Sequence, residues 1–105
     1  MTKEYWTFKE VVEIIQIDES FINDLEREEI ICPERLDDHP NKRYSARDLD
    51  NLRLAKILVQ DMDVNLAGVE VILRMRQNMI HMRQQFDVIL EDLARQIREA
   101  FGERS

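Results

Sequence analysis

Eight carboxylates and one cation occupy the stretch from Glu10 to Glu29. The acids are Glu10, Glu13, Asp18, Glu19, Asp24, Glu26, Glu28 and Glu29; the cation is Arg27. Their net of −7 equals the net charge of the whole chain, so the remaining residues balance. Carboxylates at this density can shuttle protons if they share a cleft. As an open surface they instead attract a basic partner. Open surface is the better expectation here, because no Ser/His/Asp or Cys/His set stands at usable spacing and no glycine-rich phosphate loop is present. Cys32, His39 and His81 lack a ligand set at metal-binding spacing. The sequence therefore predicts no enzyme, no metal and no cofactor.

The elements that must carry these acids follow from spacing. Thr7 and Glu10 stand at capping-box spacing, followed by Phe8, Val11, Val12 and Ile15 at helical intervals. This first helix is expected to end near Gln16. Asp18 begins a second short helix whose apolar face is Phe21, Ile22 and Leu25. Ile30 to Pro33 reads as a short extended piece and Pro40-Asn41 as a turn, with Arg43-Tyr44 as the returning arm of a small wing. Ser45 and Asp48 form a second capping pair for a helix running to about Gln60, with Leu49, Leu52, Ala55, Ile57, Leu58 and Val59 apolar. Asn65 caps a final segment that contains no proline. Tyr5, Trp6 and Cys32 are expected to close a small core.

Only two glycines and two prolines argue against an all-β fold. A length of 105 residues suits one domain with a projecting element, here divided as a head over 1–63 and a helical segment over 64–105. Along that segment Val69, Ile72, Met79, Phe86, Leu90, Leu93, Ile97 and Ala100 fall in heptads. Arg76 and Arg83 take two positions of the same repeat, and Met75, Met82 and Ile89 flank it. A helix of over ~50 Å at 1.5 Å per residue cannot bury such a stripe on so small a body. The expectation is a homodimer through Val69 to Ala100, with Arg76 and Arg83 reaching acids of the second copy. No apolar run approaches the ~20 residues that cross a bilayer, so a cytoplasmic protein is expected.

Two blocks carry a family resemblance. Lys42-Arg43-Tyr44-Ser45-Ala46-Arg47-Asp48-Leu49-Asp50-Asn51-Leu52 resembles the wing-to-helix junction of MerR-type regulators. Asp63-Val64-Asn65-Leu66-Ala67-Gly68-Val69-Glu70-Val71-Ile72-Leu73 is similar to a second hallmark of that group, closest to its form in HspR-type repressors. The resemblance implies a mainly α-helical protein: a winged helix-turn-helix head with a small wing, then a long C-terminal dimerisation helix.

The second helix departs from the pattern. Where typical members carry an Arg and aromatic residues, this chain has Ile22, Asn23, Asp24 and Leu25, and Glu29 stands in place of the turn glycine. That variant resembles chaperone modulators of the CbpM type, which bind the J-domain of a CbpA/DnaJ-type co-chaperone and keep it from stimulating Hsp70. The resemblance implies partner binding on the acidic head, with Glu10, Glu13, Asp24, Glu26, Glu28 and Glu29 as candidates and Phe21 or Ile22 as an apolar anchor. The alternative is a DNA-binding transcription regulator of the HspR kind, with Lys42, Arg43 and Tyr44 on phosphates. The acidic second helix weighs against it, because affinity for nucleic acid comes largely from Lys and Arg releasing counterions.

Overall fold

The computed structural model describes residues 4–35 and 42–102; the expected Pro40-Asn41 turn and His39 lie outside them. The element order is β1 (Tyr5–Trp6), α1 (Phe8–Ile15), α2 (Glu19–Arg27), β2 (Glu34–Arg35), β3 (Lys42–Ser45), α3 (Ala46–Gln60) and α4 (Leu66–Gly102). The chain is mainly helical, with a three-stranded antiparallel sheet in the order β1-β3-β2. Tyr5 faces Ser45 and Trp6 faces Tyr44, while Glu34 faces Arg43 and Arg35 faces Lys42.

Local chemistry sets the helix starts. Thr7 Oγ1 accepts from the Glu10 amide at 3.3 Å and Glu10 Oε1 accepts from the Thr7 amide at 3.0 Å. Ser45 and Asp48 repeat this reciprocal bond at 3.2 and 3.0 Å. Asn65 Oδ1 accepts from the Gly68 amide at 2.8 Å and starts α4. Each bond satisfies amides that the first helical turn leaves unpaired. Asp18 holds the N-cap position of α2 without a side-chain cap bond. A Cβ at Gly68 would meet Val64 Cγ1 at 2.7 Å, closer than a stiff β-branched neighbour can accept.

The end of α2 is a Schellman closure. The Glu29 amide donates to Glu26 O at 3.0 Å and the Ile30 amide to Leu25 O at 2.9 Å. Glu29 itself has φ 58°, the left-handed conformation that glycine adopts without steric cost. Gln16, after α1, and Asp63, before α4, take the same conformation.

The chain divides into two compact units, residues 1–73 and 74–105. The first reaches past the expected boundary at 63, because Val69 and Leu73 are buried with the head core. That core joins Val11, Ile15, Ile22, Leu25, Ile31, Tyr44, Leu49, Leu52, Ala55 and Leu58. Lys56 Nζ donates to the Ile15 carbonyl at 2.9 Å, so α3 satisfies the C-terminus of α1. Four expectations are corrected. The first wing strand is Glu34–Arg35, after Pro33, not the piece before it, and Ile31 is a core residue. Cys32 is exposed, its thiol donating to Glu29 O at 3.6 Å. Tyr5 is 37% exposed, on the outer side of its strand, where alternation places it opposite to Trp6. Ile57 is 48% exposed, so the apolar face of α3 is narrower than its composition suggests.

Candidate functional site

The sequence places its charge on α1 and α2; folding decides which charges remain available. Glu10 is half-buried and closes the α1 capping box. Glu26 is drawn into the head: its side chain is 9% exposed, and Lys42 Nζ lies 2.8 Å from Oε1. The Tyr44 hydroxyl donates to Glu26 Oε2 at 3.1 Å. Oε1 meets the Lys42 charge but receives no well-directed hydrogen bond among the described residues. Tyr44 is fully buried, and that burial, followed by the Glu26 carboxylate, pushes its phenol well above the ordinary tyrosine range. Asp24 pairs with Arg27 one turn along the exposed side of α2.

The expected anchors separate in the same way. Ile22 is 0% exposed and belongs to the core, so it is unavailable to a partner. It cannot be otherwise, because Ile22 and Leu25 are the two residues of α2 that face the packed interior. Phe21 is partly buried against that core and keeps an outer edge. On α1, Glu13 is exposed, and beside it Ile14 is 46% exposed. Ile14 was missed by sequence reasoning. The signal was present: it falls outside the Phe8, Val11, Val12 and Ile15 row that must face the core. Glu19, Glu28 and Glu29 are exposed as well. The unburied acids of the helix pair are thus Glu13, Asp18, Glu19, Glu28 and Glu29, with Asp24 partly buried.

The two cations of β3 are occupied. Arg43 Nη2 lies 2.8 Å from Glu34 Oε2, and its guanidinium carbon sits 4.0 Å from the Tyr5 ring centroid. The hydrogen bond to Glu34 raises the Arg43 pKa further, so the charge is fixed where the strand pairing puts it. Arg43 Nε is buried without a hydrogen-bond partner among the described residues. Lys42 is 23% exposed and is held by Glu26. Lys42 and Arg43, the two cations expected on phosphates in the DNA-binding alternative, each already meet a carboxylate of their own head. Arg35 and Arg47 remain exposed.

In the C-terminal helix the apolar side chains are bare. Met79 is 68%, Phe86 59%, Leu90 46%, Leu93 51% and Ile97 50% exposed. The expected dimer residues Val69 and Ile72 differ: Val69 is fully buried and Ile72 packs against the head core, so both are corrected from seam to head. Among the described residues no helix is long and apolar enough to cross a membrane, and no cluster of His, Cys, Asp or Glu could hold a metal ion.

No curated protein matches the chain. The family model described as MerR HTH family regulatory protein matches residues 6–90, which runs from Trp6 of β1 through α3 and more than half of α4. With its helix pair, small wing and long terminal helix in place, the chain belongs to the MerR HTH family of regulatory proteins.

Proposed function

We propose that this protein is a non-enzymatic modulator whose acidic head docks on the basic helix of a J-domain, withholding that surface from Hsp70. The observation that carries the reading is the fate of the charges. Lys42 and Arg43 are paired with Glu26 and Glu34 of the head itself, while Glu13, Glu19, Glu28 and Glu29 stay exposed. Like-charge contact with phosphates costs several kcal/mol at an interface, whereas a basic helix gains on-rate from the same field. Glu13, Glu28, Glu29 and the apolar side of Phe21 remain from the expected docking set; Ile14 joins them as an anchor. Two copies associate through α4, which presents two heads to the partner.

The test is charge reversal of Glu13, Glu28 and Glu29 to Lys. Binding of a J-domain and inhibition of its stimulation of ATP hydrolysis should both fall. Association of the wild type should slow as salt rises, since the field is screened beyond ~8 Å near physiological ionic strength. Unchanged binding and inhibition in the triple variant would reject the surface.

A DNA-binding regulator is the second reading. Family membership fits it equally, and the exposed Arg35 and Arg47 near the wing favour it. Sequence-dependent nanomolar binding to its own upstream duplex at ~150 mM salt would establish it instead, with the steep salt slope of phosphate contacts.

A further inference from the structure

A cleft of about 440 Å³ lies beside the start of α3, lined also by residues of β1, β3 and the segment after α2. Small-molecule sites run from roughly 300 to 1,000 Å³, so this one is large enough for a compact ligand. Tyr5, Ile30 and Ile31 give it apolar surface, and Arg43, Arg47 and Asn51 give it donors. The acids of the lining are already used. Glu34 is held by Arg43 at 2.8 Å, and Asp48 Oδ2 accepts from the Ser45 amide at 3.0 Å. The donors are not. Arg47 is exposed and has no ion-pair partner among the described residues, and the Asn51 side chain makes no hydrogen bond among them. The two stand four apart on α3, so they share one face of that helix. Ser45 Oγ accepts from the Asp48 amide and keeps its own proton to give. Arg43 Nε has no acceptor among the described residues. A ligand that satisfies this lining brings acceptors, not donors.

Charge narrows the class further. Arg43 and Arg47 stand against Glu34 and Asp48, and Arg47 is the one cation of the lining without a carboxylate. A single spare guanidinium matches a single carboxylate, which it can hold with two parallel N–H bonds. A phosphate dianion would bring one negative charge too many. It would do so close to Glu29, whose carbonyl the Cys32 thiol of the lining contacts at 3.6 Å. Like charges brought together at an interface are costly. We propose that the cleft binds a small organic monocarboxylate, its carboxylate on Arg47 and Asn51 and its apolar body against Ile30, Ile31 and Tyr5. This site goes beyond the docking reading and does not depend on it.

The probe is benzoate, with benzamide as the neutral counterpart and phenyl phosphate as the dianion, all at constant ionic strength. Cys32 is the only cysteine of the chain and lines the cleft, so its reaction with a neutral maleimide reports occupancy. Benzoate should slow that reaction saturably, with a dissociation constant at or below about 1 mM. Benzamide should bind at least about tenfold more weakly, because it cannot form the charge-assisted pair. Phenyl phosphate should also bind more weakly than benzoate. Arg47→Ala should raise the benzoate constant at least about tenfold, and Arg47→Lys nearly as much, since lysine lacks the planar fork. Arg47 is exposed, and circular dichroism checks that both variants keep the fold. The nuclear magnetic resonance signal of the Asn51 side-chain amide gives a second readout, which should move with benzoate in the wild type and in Cys32→Ser alike. No protection of Cys32 at millimolar benzoate, with the Asn51 signal unmoved, overturns the site. Equal binding of benzamide, or undiminished binding in Arg47→Ala, overturns recognition by the spare guanidinium. Tighter binding of phenyl phosphate overturns the monocarboxylate class.

Discussion

Replacing Glu26 tests whether folding has withdrawn that acid from the proposed docking surface. Glu26→Ala removes the acceptor of the buried Tyr44 hydroxyl and the counter-charge of Lys42 together. An unsatisfied buried hydroxyl costs about 1–3 kcal/mol. Breaking a buried ion pair from one side costs about 3–5 kcal/mol, but Lys42 is 23% exposed and can turn its ammonium toward water, which moves that figure down. The two effects overlap, and a loss of about 3 kcal/mol is expected, a large part of the roughly 5–15 kcal/mol that holds a small domain. Urea denaturation read by circular dichroism and by Trp6 fluorescence measures it. With a slope near 1.5 kcal/mol/M, the midpoint should drop by about 2 M. Tyr44→Phe keeps Lys42 paired and removes only the hydrogen bond to a charged acceptor, so it should lose about 1.5–3 kcal/mol. If Glu26→Ala loses less than about 1 kcal/mol while J-domain binding collapses, the carboxylate faces the partner and the placement of the site is wrong.

Stability should also fall at alkaline pH through Tyr44. Its folded pKa lies above its unfolded value of about 10, so its contribution is full below pH ~10 and is lost as pH rises from there toward the folded pKa, by up to ~1.36 kcal/mol per pH unit. Tyr44→Phe should flatten that decline, and an unchanged slope in the variant would assign the loss to other groups. Glu29→Gly should stabilise the head by about 0.5–1 kcal/mol in thermal melts, because a left-handed non-glycine residue costs about 1–2 kcal/mol and glycine returns part of this as unfolded-state entropy. A lower melting temperature would mean that the Glu29 side chain contributes more than its backbone costs. Ser45→Ala removes the α3 cap and should lose about 1 kcal/mol, read in the same melts.

Much of the fold was legible in the sequence because its signals are local. Capping pairs three residues apart, Thr7 with Glu10 and Ser45 with Asp48, need only neighbouring residues to form, and both boxes are present. The single long terminal helix follows from apolar periodicity without proline, and the acidity of the helix pair is a matter of composition. What each charge is for was decided elsewhere. Glu26 and Glu29 lie three residues apart in one acidic run, yet one is held in the head by Lys42 and Tyr44 from β3, and the other is exposed on a left-handed turn. The family pattern sets Glu29 at the turn position, but nothing in the run marks Glu26 for burial, since the partners that capture it are brought by strand pairing from sixteen and eighteen residues away. Val69 and Ile72 obey the heptad as well as Met79 or Phe86 do. Only the head core, closing over the first turns of α4, takes them out of the expected seam and leaves the later apolar residues exposed. Local spacing determines where helices begin and which faces are apolar; which groups are spare after folding depends on contacts between residues distant in sequence, and only the tertiary structure supplies those.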